Sequence, residues 1–229
     1  MFVVLAGAHG KIAQHLGRTL AARGDEVVGL VRNPDHAADL EALGVRPVVR
    51  DLESASADEL AGDLRGADAV VFAAGAGPGS GAGRKDSVDR GAAVLLADAA
   101  LRAGVAPYLL VSSIGLEAVA DGRTPEGVDE VFVAYLRAKL AAEQELLARD
   151  GLRLTVLRPG GLTDDAATGR VRLAPSVERG QVPRADVAAV LQELLDRLAD
   201  GSAGNGEVLE LVSGDVPVGQ AVEDALTSS

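Results

Sequence analysis

The sequence predicts an α/β protein built on one doubly wound parallel sheet, with helices covering both faces in three layers. Short uninterrupted apolar runs alternate with amphipathic segments, and a glycine turn joins the first run to the first helix. Uninterrupted apolar runs are typical of strands buried on both faces. Because helices cross between consecutive strands, those strands run parallel, and right-handed crossovers place helices on both sides.

The elements follow in a regular order. The apolar runs that predict strands are 2–6, 27–31, a weaker run at 45–49, 69–74, 108–114, 154–157 and 208–212. Helical periodicity covers 11–23, 35–43, 87–103, 131–149 and 185–199. Glycines just beyond these helices are expected to stop them, namely Gly24, Gly44, Gly104, Gly151 and Gly201.

Two segments interrupt the alternation of strands and helices. Residues 75–87 are rich in glycine and residues 115–130 are acidic, and each follows a predicted strand. Ligands bind to such sheets at the carboxyl ends of the strands, so both segments are candidate site loops. Residues 75–87 could instead be a disordered connection, and the sequence leaves both readings open.

Composition limits the classes of partner. The chain has 229 residues and a formal net charge of −12, which disfavours binding to nucleic acid or an anionic membrane. It has no cysteine, and its three histidines, His9, His15 and His36, are too scattered to predict a metal site. There is no signal-peptide pattern, and no apolar run approaches about 18 residues. We expect one cytoplasmic domain spanning 1–229 that acts on a small molecule.

The turn after the first strand has the pattern of a dinucleotide-binding loop of the Rossmann type. Gly7 allows a tight turn, Gly10 allows the close approach of a pyrophosphate, and Ala13 permits close helix packing. Amide groups at the start of the helix would face the phosphates. We place the remaining loop residues and the end of the fourth strand in the same cofactor site: His9, Lys11, Ile12, Ala73, Ala74 and Gly75.

Two further positions address the identity of the cofactor. Arg32 ends the second strand, where a guanidinium suits the 2′-phosphate of NADP better than the free hydroxyl of NAD. NADP is therefore favoured over NAD, although Arg32 could simply face solvent. Asp51 and Leu52 follow the third strand, and Asp51 could either hold the adenine amino group or cap the next turn.

The chain resembles the atypical short-chain dehydrogenase/reductases of the NAD(P)-binding, NmrA-like and bacterial sugar-epimerase-like type, from residue 2 to about 212. The resemblance is carried by a set of motifs: Gly7-Ala8-His9-Gly10, Val31-Arg32-Asn33-Pro34, Asp51-Leu52, Val111-Ser112-Ser113-Ile114-Gly115, Tyr135-Leu136-Arg137-Ala138-Lys139 and Leu157-Arg158-Pro159-Gly160-Gly161-Leu162-Thr163. His9 replaces the Thr or Ser usual in this loop, which removes a hydroxyl contact to phosphate.

The resemblance implies a catalytic group. Tyr135 and Lys139 lie one helical turn apart and form the signature pair of the superfamily. Lys139 is expected to lower the pKa of Tyr135, so that Tyr135 acts as acid or base, and to bond the nicotinamide ribose. Ser113, and secondly Ser112, would position the substrate oxygen. The pair could instead grip the cofactor without catalysis, and the serines could simply bond to backbone.

The remaining candidates follow the sixth strand. Pro159, Gly160, Gly161 and Leu162 are expected to pass close to the nicotinamide, although an ordinary turn explains the same residues. We interpret Asp164 and Asp165 as a solvated or capping pair, and Asp186 as the cap of a later helix. The substrate side would consist of 159–184 together with the C-terminal tail.

The resulting hypothesis is an NADP(H)-dependent oxidoreductase or epimerase of a small carbonyl, quinone or sugar-like substrate. The chain leaves little room for a domain that would hold large nucleotide sugars. The alternative is a non-catalytic NADP(H)-binding sensor or regulator. Helices 87–103 and 131–149 could form a dimer seam, so the sequence is compatible with a monomer or a homodimer.

Overall fold

The computed structural model describes residues 1–77 and 79–227. Its strands are β1 (Phe2–Ala6), β2 (Glu26–Val31), β3 (Arg46–Val49), β4 (Ala69–Phe72), β5 (Pro107–Val111), β6 (Arg153–Pro159), β7 (Gly161–Thr163), β8 (Arg170–Ala174), β9 (Gln181–Pro183), β10 (Asn205–Ser213) and β11 (Val216–Pro217). The α-helices are α1 (Lys11–Arg23), α2 (Ala37–Glu41), α3 (Ala57–Leu64), α4 (Ala82–Arg84), α5 (Ala93–Arg102), α6 (Glu130–Leu147), α7 (Arg184–Asp200) and α8 (Val218–Thr227). Short 3-10 segments cover Pro34–His36 and Leu116–Gly122, and a π-helix covers Lys85–Ala92.

Within the described residues, nine strands form the main sheet in the order β11-β8-β10-β6-β5-β4-β1-β2-β3. Strands from β10 to β3 pair in parallel. The strand order reverses between β4 and β1, and this is the point where a doubly wound sheet opens a crevice for ligands. The predicted doubly wound α/β architecture is therefore confirmed.

The helices form the two outer layers. One apolar cluster joins one face of the sheet to α1, α7 and α8, and the other joins the opposite face to α3, α5 and α6. Central strands are buried from end to end, as in β4, because both faces are covered. No helix in the described ranges is long and apolar enough to cross a membrane.

One edge of the sheet departs from the predicted parallel arrangement. β8 pairs antiparallel with β10, and β11 pairs antiparallel with β8. β8 buries Val171 and Leu173 but exposes the residues on either side of Val171. This alternation is typical of a strand covered on one face, so a search for uninterrupted apolar runs does not detect it. β7 and β9 form a separate parallel pair beside this edge.

Most predicted helices are confirmed with shifted ends, and α3 and α8 were not predicted. Ser56 begins α3 with a capping box, in which its side chain accepts from the amide of Glu59 and Glu59 accepts from the amide of Ser56. The expected glycine stops are confirmed most clearly at Gly24, which ends α1 in the left-handed region at a φ of 95°.

The two predicted site loops contain more helix than the sequence indicated. The helical segment after β4 begins at Ala82, five positions before the predicted start at 87, and passes through the π-helix into α5. Its glycines at 81 and 83 made it resemble a loop, yet Gly81 is only the residue before the first turn. Strands β4 and β5 end at Phe72 and Val111, earlier than predicted, so Ala73, Ala74, Ser112 and Ser113 lie in connections at the sheet edge.

Candidate cofactor and active site

The turn between β1 and α1 has a backbone geometry that requires glycine. Gly7 has a φ of +75°, and a Cβ atom there would lie 2.5 Å from the Cα of Ala74. The amide of Gly10 donates to the carbonyl of Gly7 over 2.8 Å and closes the turn. No described side chain caps α1 at Gly10, so the first amide groups of the helix are left for a ligand. This cradle fits the pyrophosphate of a dinucleotide.

A first cavity, the glycine-loop cavity, opens over this turn and has a volume of about 440 Å³. It brings together most of the predicted cofactor residues: Gly7, His9, Gly10, Arg32, Asp51, Leu52, Ala73, Ala74 and Gly75. Lys11 is not among its lining residues, since its ammonium pairs with Asp164 at the surface. The His9 ring stacks on His36, with 3.5 Å between the ring centroids.

One end of this cavity contains two arginines around a single carboxylate. Glu53 accepts from Arg32 over 3.2 Å and from Arg84 over 2.8 Å, and Ser87 donates to its other oxygen over 2.7 Å. Asp51 accepts from the amide of Glu53 over 3.1 Å, as expected for the turn-capping alternative. Sequence reasoning missed Glu53 and Arg84, because Arg84 reaches this cavity from the segment after β4, which resembled a loop.

A second cavity, of about 370 Å³, adjoins the first and shares with it the segment 73–77. It is lined by the four predicted catalytic residues Ser112, Ser113, Tyr135 and Lys139, together with Ile12, Lys85, Asp89, Val111, Pro159, Gly160 and Leu162. The fold therefore gathers the ends of β4, β5 and β6 and one turn of α6 around a single space. Ser112 has a buried Oγ with no hydrogen-bond partner among the described residues, whereas Ser113 donates to the carbonyl of Ile114.

Lys139 is buried and held on several sides. Its Nζ lies 3.3 Å from Oδ1 of Asp89 and donates to the carbonyl of Val111 over 3.0 Å. Burial lowers the pKa of Lys139, and the negative charge of Asp89 opposes that effect. Asp89 is fully buried in the π-helix and also accepts from the amide of Ala76. Sequence reasoning missed Asp89, because Lys85, Asp86 and Arg90 near it are also charged and no local pattern marks Asp89 as buried.

Tyr135 differs from the expectation about its ionisation. Burial and the negative charge of Asp89 raise the pKa of Tyr135 to about 12, and a hydrogen bond to Ser113 lowers it only in part. The expected lowering of this pKa by Lys139 is not found. Burial is the largest cause of the shift, and Asp89, which pairs with the ammonium of Lys139, adds a field of the opposite sign.

The segment after β6 is packed tightly. Gly160 donates to the carbonyl of Leu211 over 2.8 Å, and a Cβ atom there would collide with the carbonyl of Gly180. Gly161 donates to the same carbonyl of Gly180 and does not line the second cavity. The two glycines thus serve backbone packing, while Pro159, Gly160 and Leu162 also border the cavity.

The acidic residues beyond this segment have structural partners. Asp164 pairs with Lys11 and Arg184, and these contacts lower the pKa of its carboxyl. Asp186 was expected to cap α7, but Pro183 occupies that position. Asp186 is instead buried within the first turn, where it accepts from the amides of Thr168 and Gly169 and fixes the loop before β8.

The fold and this pair of adjoining cavities define a nicotinamide-dinucleotide-binding protein of the oxidoreductase and epimerase type. The chain belongs to the NAD(P)H-binding family, whose family model matches residues 7–198. The predicted membership of the atypical short-chain dehydrogenase/reductases is thereby confirmed.

Similar proteins cover almost the whole chain. It is 33% identical over 224 residues to the uncharacterized sugar epimerase YhfK of Bacillus subtilis. The aligned region covers 97% of this chain and 99% of YhfK. A structure from Bacillus halodurans, described as a candidate NAD-dependent epimerase/dehydratase, is 33% identical with a TM-score of 0.84, covering 98% of this chain and 99% of that one. ChuY of Escherichia coli O157:H7, described as an anaerobillin reductase, is 30% identical with a TM-score of 0.75, covering 94% and 98%.

Proposed function

We propose that this protein is an NADP(H)-dependent reductase of small carbonyl or quinone compounds. The observation that carries the proposal is the arrangement of Tyr135, Ser112, Ser113 and Lys139 around one cavity that adjoins the glycine-loop cavity. A dinucleotide seated on the glycine turn could extend along the shared segment 73–77 toward Tyr135. The likeness to ChuY, a protein described as a reductase, supports the same class of reaction.

The reaction needs a hydride and a proton. When bound, the reduced nicotinamide supplies the hydride, which carries two electrons to the carbonyl carbon. Tyr135 donates its hydroxyl proton to the carbonyl oxygen, which receives the electron pair of the broken π bond, and the product is an alcohol. Ser112, whose buried hydroxyl has no partner among the described residues, can donate to this oxygen, and Ser113 can do so when its hydroxyl turns away from the carbonyl of Ile114.

Tyr135 is protonated at neutral pH, which is the form that carbonyl reduction requires. Its pKa is raised to about 12, which also makes it a weaker acid. Because a phenol at its ordinary pKa is protonated at neutral pH as well, this shift does not separate reduction from epimerisation. We place carbonyl reduction ahead of the epimerase alternative because of the likeness to ChuY.

The preference for NADP(H) over NAD(H) is supported by the charges at the far end of the first cavity. Arg32 and Arg84 bring two guanidinium groups to this cavity, which is also lined by the carboxylates of Glu53 and Asp51. A 2′-phosphate would find two guanidinium partners there, whereas the hydroxyl of NAD would offer no charge to match them. Arg50 also lines this cavity, but its guanidinium is paired with Asp63.

A non-catalytic NADP(H) sensor is the second candidate. It is favoured by the pairing of Lys139 with Asp89, because Asp89 neutralises the positive charge that would otherwise lower the pKa of Tyr135.

The deciding experiment titrates the protein with NADPH and then screens quinones, aldehydes and ketones for NADPH oxidation. We expect turnover by the wild type, a loss of roughly two orders of magnitude in kcat for Tyr135→Phe, and unchanged NADPH affinity. Tight binding without turnover of any substrate would favour the sensor.

A further inference from the structure

We propose that Lys85 binds an anionic group of the substrate, so that the preferred substrates are carbonyl compounds that also carry a carboxylate. This inference rests on the proposed reductase function and adds the class of substrate to it. Lys85 begins the π-helix, and its side chain lines the second cavity together with Tyr135.

The position of Lys85 relative to Tyr135 is the first observation. Its Nζ lies 5.4 Å from the centroid of the Tyr135 ring, and it donates to the carbonyl of Gly77 over 2.9 Å. An ammonium has three donors, so this contact fixes the side chain while leaving donors for a ligand. A small molecule whose carbonyl oxygen meets the Tyr135 hydroxyl could place a second polar group at Lys85.

The charge of Lys85 is the second observation. The chain has three lysines, of which Lys11 is paired with Asp164 and Lys139 with Asp89. Lys85 forms no ion pair with any carboxylate in the described part of the chain, and the neighbouring Asp86 is engaged by Arg90. The second cavity therefore has an excess of one positive charge, from Lys85 and Lys139 against Asp89, in a chain whose net charge is −12.

The surroundings of Lys85 favour the substrate over the cofactor as the source of the anion. Lys85 does not line the glycine-loop cavity, whereas its neighbour Arg84 does. The other walls of the second cavity include the apolar side chains of Ile12, Val111 and Leu162. An acid with an apolar body would bury that body against these walls and keep its carboxylate on the partly buried ammonium.

The test compares pairs of substrates in which a carboxylate is replaced by its uncharged methyl ester. We would use 4-carboxybenzaldehyde against methyl 4-formylbenzoate, and succinic semialdehyde against its methyl ester, with NADPH and the wild type, Lys85→Gln and Lys85→Arg. The wild type should prefer each acid to its ester in kcat/KM. Lys85→Gln should raise KM for the acids roughly 10-fold or more with little change for the esters, and Lys85→Arg should restore most of the preference.

Binding measurements separate this inference from the proposed function. Calorimetry of the protein–NADPH complex with 4-(hydroxymethyl)benzoate and with the corresponding amide reports on the anion site without turnover. If no aldehyde is reduced but the acid still binds in preference through Lys85, the reductase function fails while the anion site stands. Equal affinity for acid and amide, or an acid preference that persists in Lys85→Gln, overturns the inference. Weaker NADPH binding by Lys85→Gln also overturns it, since Lys85 would then serve the cofactor.

Discussion

Asp89 connects three parts of the candidate site through a single carboxylate. It lies 3.3 Å from the ammonium of Lys139, accepts from the amide of Ala76, and acts through its charge on Tyr135. The ammonium of Lys139 compensates the charge of this fully buried carboxylate, but its hydration is replaced only in part, since Oδ1 accepts no hydrogen bond from the described residues. Asp89 is therefore a positioning residue for Lys139 and for the glycine-rich segment after β4.

Replacing Asp89 tests its effect on Tyr135. In Asp89→Asn the negative charge that disfavours the phenolate is removed, so we expect the pKa of Tyr135 to fall below about 12 toward its ordinary value. Ultraviolet titration of tyrosinate measures this change, and the Tyr135→Phe protein identifies the signal because Tyr108 is the only other tyrosine. An unchanged titration in Asp89→Asn would show that burial alone raises the pKa.

Arg32 and Arg84 are expected to select NADPH over NADH. Arg32→Ala and Arg84→Ala should each weaken NADPH binding by about 10-fold or more and leave NADH binding nearly unchanged. The reason is that each variant loses one charge-assisted contact to the 2′-phosphate. Glu53→Gln should strengthen NADPH binding, because the carboxylate no longer occupies both guanidinium groups. Calorimetry with NADPH, NADH, 2′,5′-ADP and 5′-ADP measures these effects.

Arg102→Ala is the matched control for these arginines, because Arg102 pairs with Asp58 and lines neither cavity. Equal losses of NADPH and NADH affinity in Arg84→Ala would assign Arg84 a role in folding of the segment after β4 instead of in selecting the cofactor.

Two connections, the turn between β1 and α1 and the segment after β4, pack against each other, so each limits the conformation of the other. Gly7 adopts a positive φ, and the space that its missing Cβ leaves is occupied by the backbone of Ala74. The two connections therefore pack backbone against backbone at the position where the strand order reverses. A side chain at Gly7 would push apart the two walls of the glycine-loop cavity.

Gly7→Ala is expected to lower the free energy of unfolding by about 2 kcal/mol or more and to abolish NADPH binding, because the change adds both backbone strain and a collision. Gly62→Ala is the control. Gly62 lies inside α3 with nothing within 4 Å of its added Cβ, so this change should stabilise the protein by about 0.5–1 kcal/mol. Urea unfolding and calorimetry with NADPH measure the two effects. Normal NADPH binding by Gly7→Ala would contradict the proposed close packing.

Arg158 joins distant parts of the molecule, because it links β6 to α6, to the 3-10 segment Leu116–Gly122 and to β10. From the end of β6 it forms a two-point contact with the buried Glu143 of α6, with one distance of 2.6 Å, and also reaches Glu117 over 2.7 Å. Glu210 of β10 lies within 3.7 Å of the same guanidinium. These carboxylates hold the pKa of Arg158 above its ordinary value although burial opposes them.

Arg158→Met should therefore cost about 3–5 kcal/mol of unfolding free energy, since it leaves Glu143 buried without a partner. The double variant Arg158→Met with Glu143→Leu should recover part of that loss, because the uncompensated charge is gone as well. Urea unfolding of the single and double variants forms the test. If the double variant is less stable than Arg158→Met, the cost does not come from the buried charge.

The fold was predictable to a large extent from local patterns, and the candidate site to a smaller one. Uninterrupted apolar strands and the glycine turn indicated the parallel sheet and the cavity over that turn. The second cavity is lined by the four residues predicted to be catalytic, Ser112, Ser113, Tyr135 and Lys139, whose roles stay a prediction. The antiparallel edge at β8 was missed because only one face of that strand is covered. The helix that carries Arg84, Lys85 and Asp89 was missed in part because its glycines resembled a loop.

The features that can be predicted from the sequence alone are local in the chain: the strand-turn-helix around Gly7, the parallel α/β order, and the spacing that puts Tyr135 and Lys139 on one helix face. These features follow from backbone geometry and from burial on one or two faces, and both leave a pattern in residues that are close together in the sequence. The pairing of charges depends on the tertiary structure, as with Lys139 and Asp89 or Arg84 and Glu53. The same holds for Lys85, which pairs with no carboxylate in the described part of the chain. Electrostatic effects depend on distance in space and on burial, and residues about 30 to 50 positions apart become neighbours only when the sheet assembles.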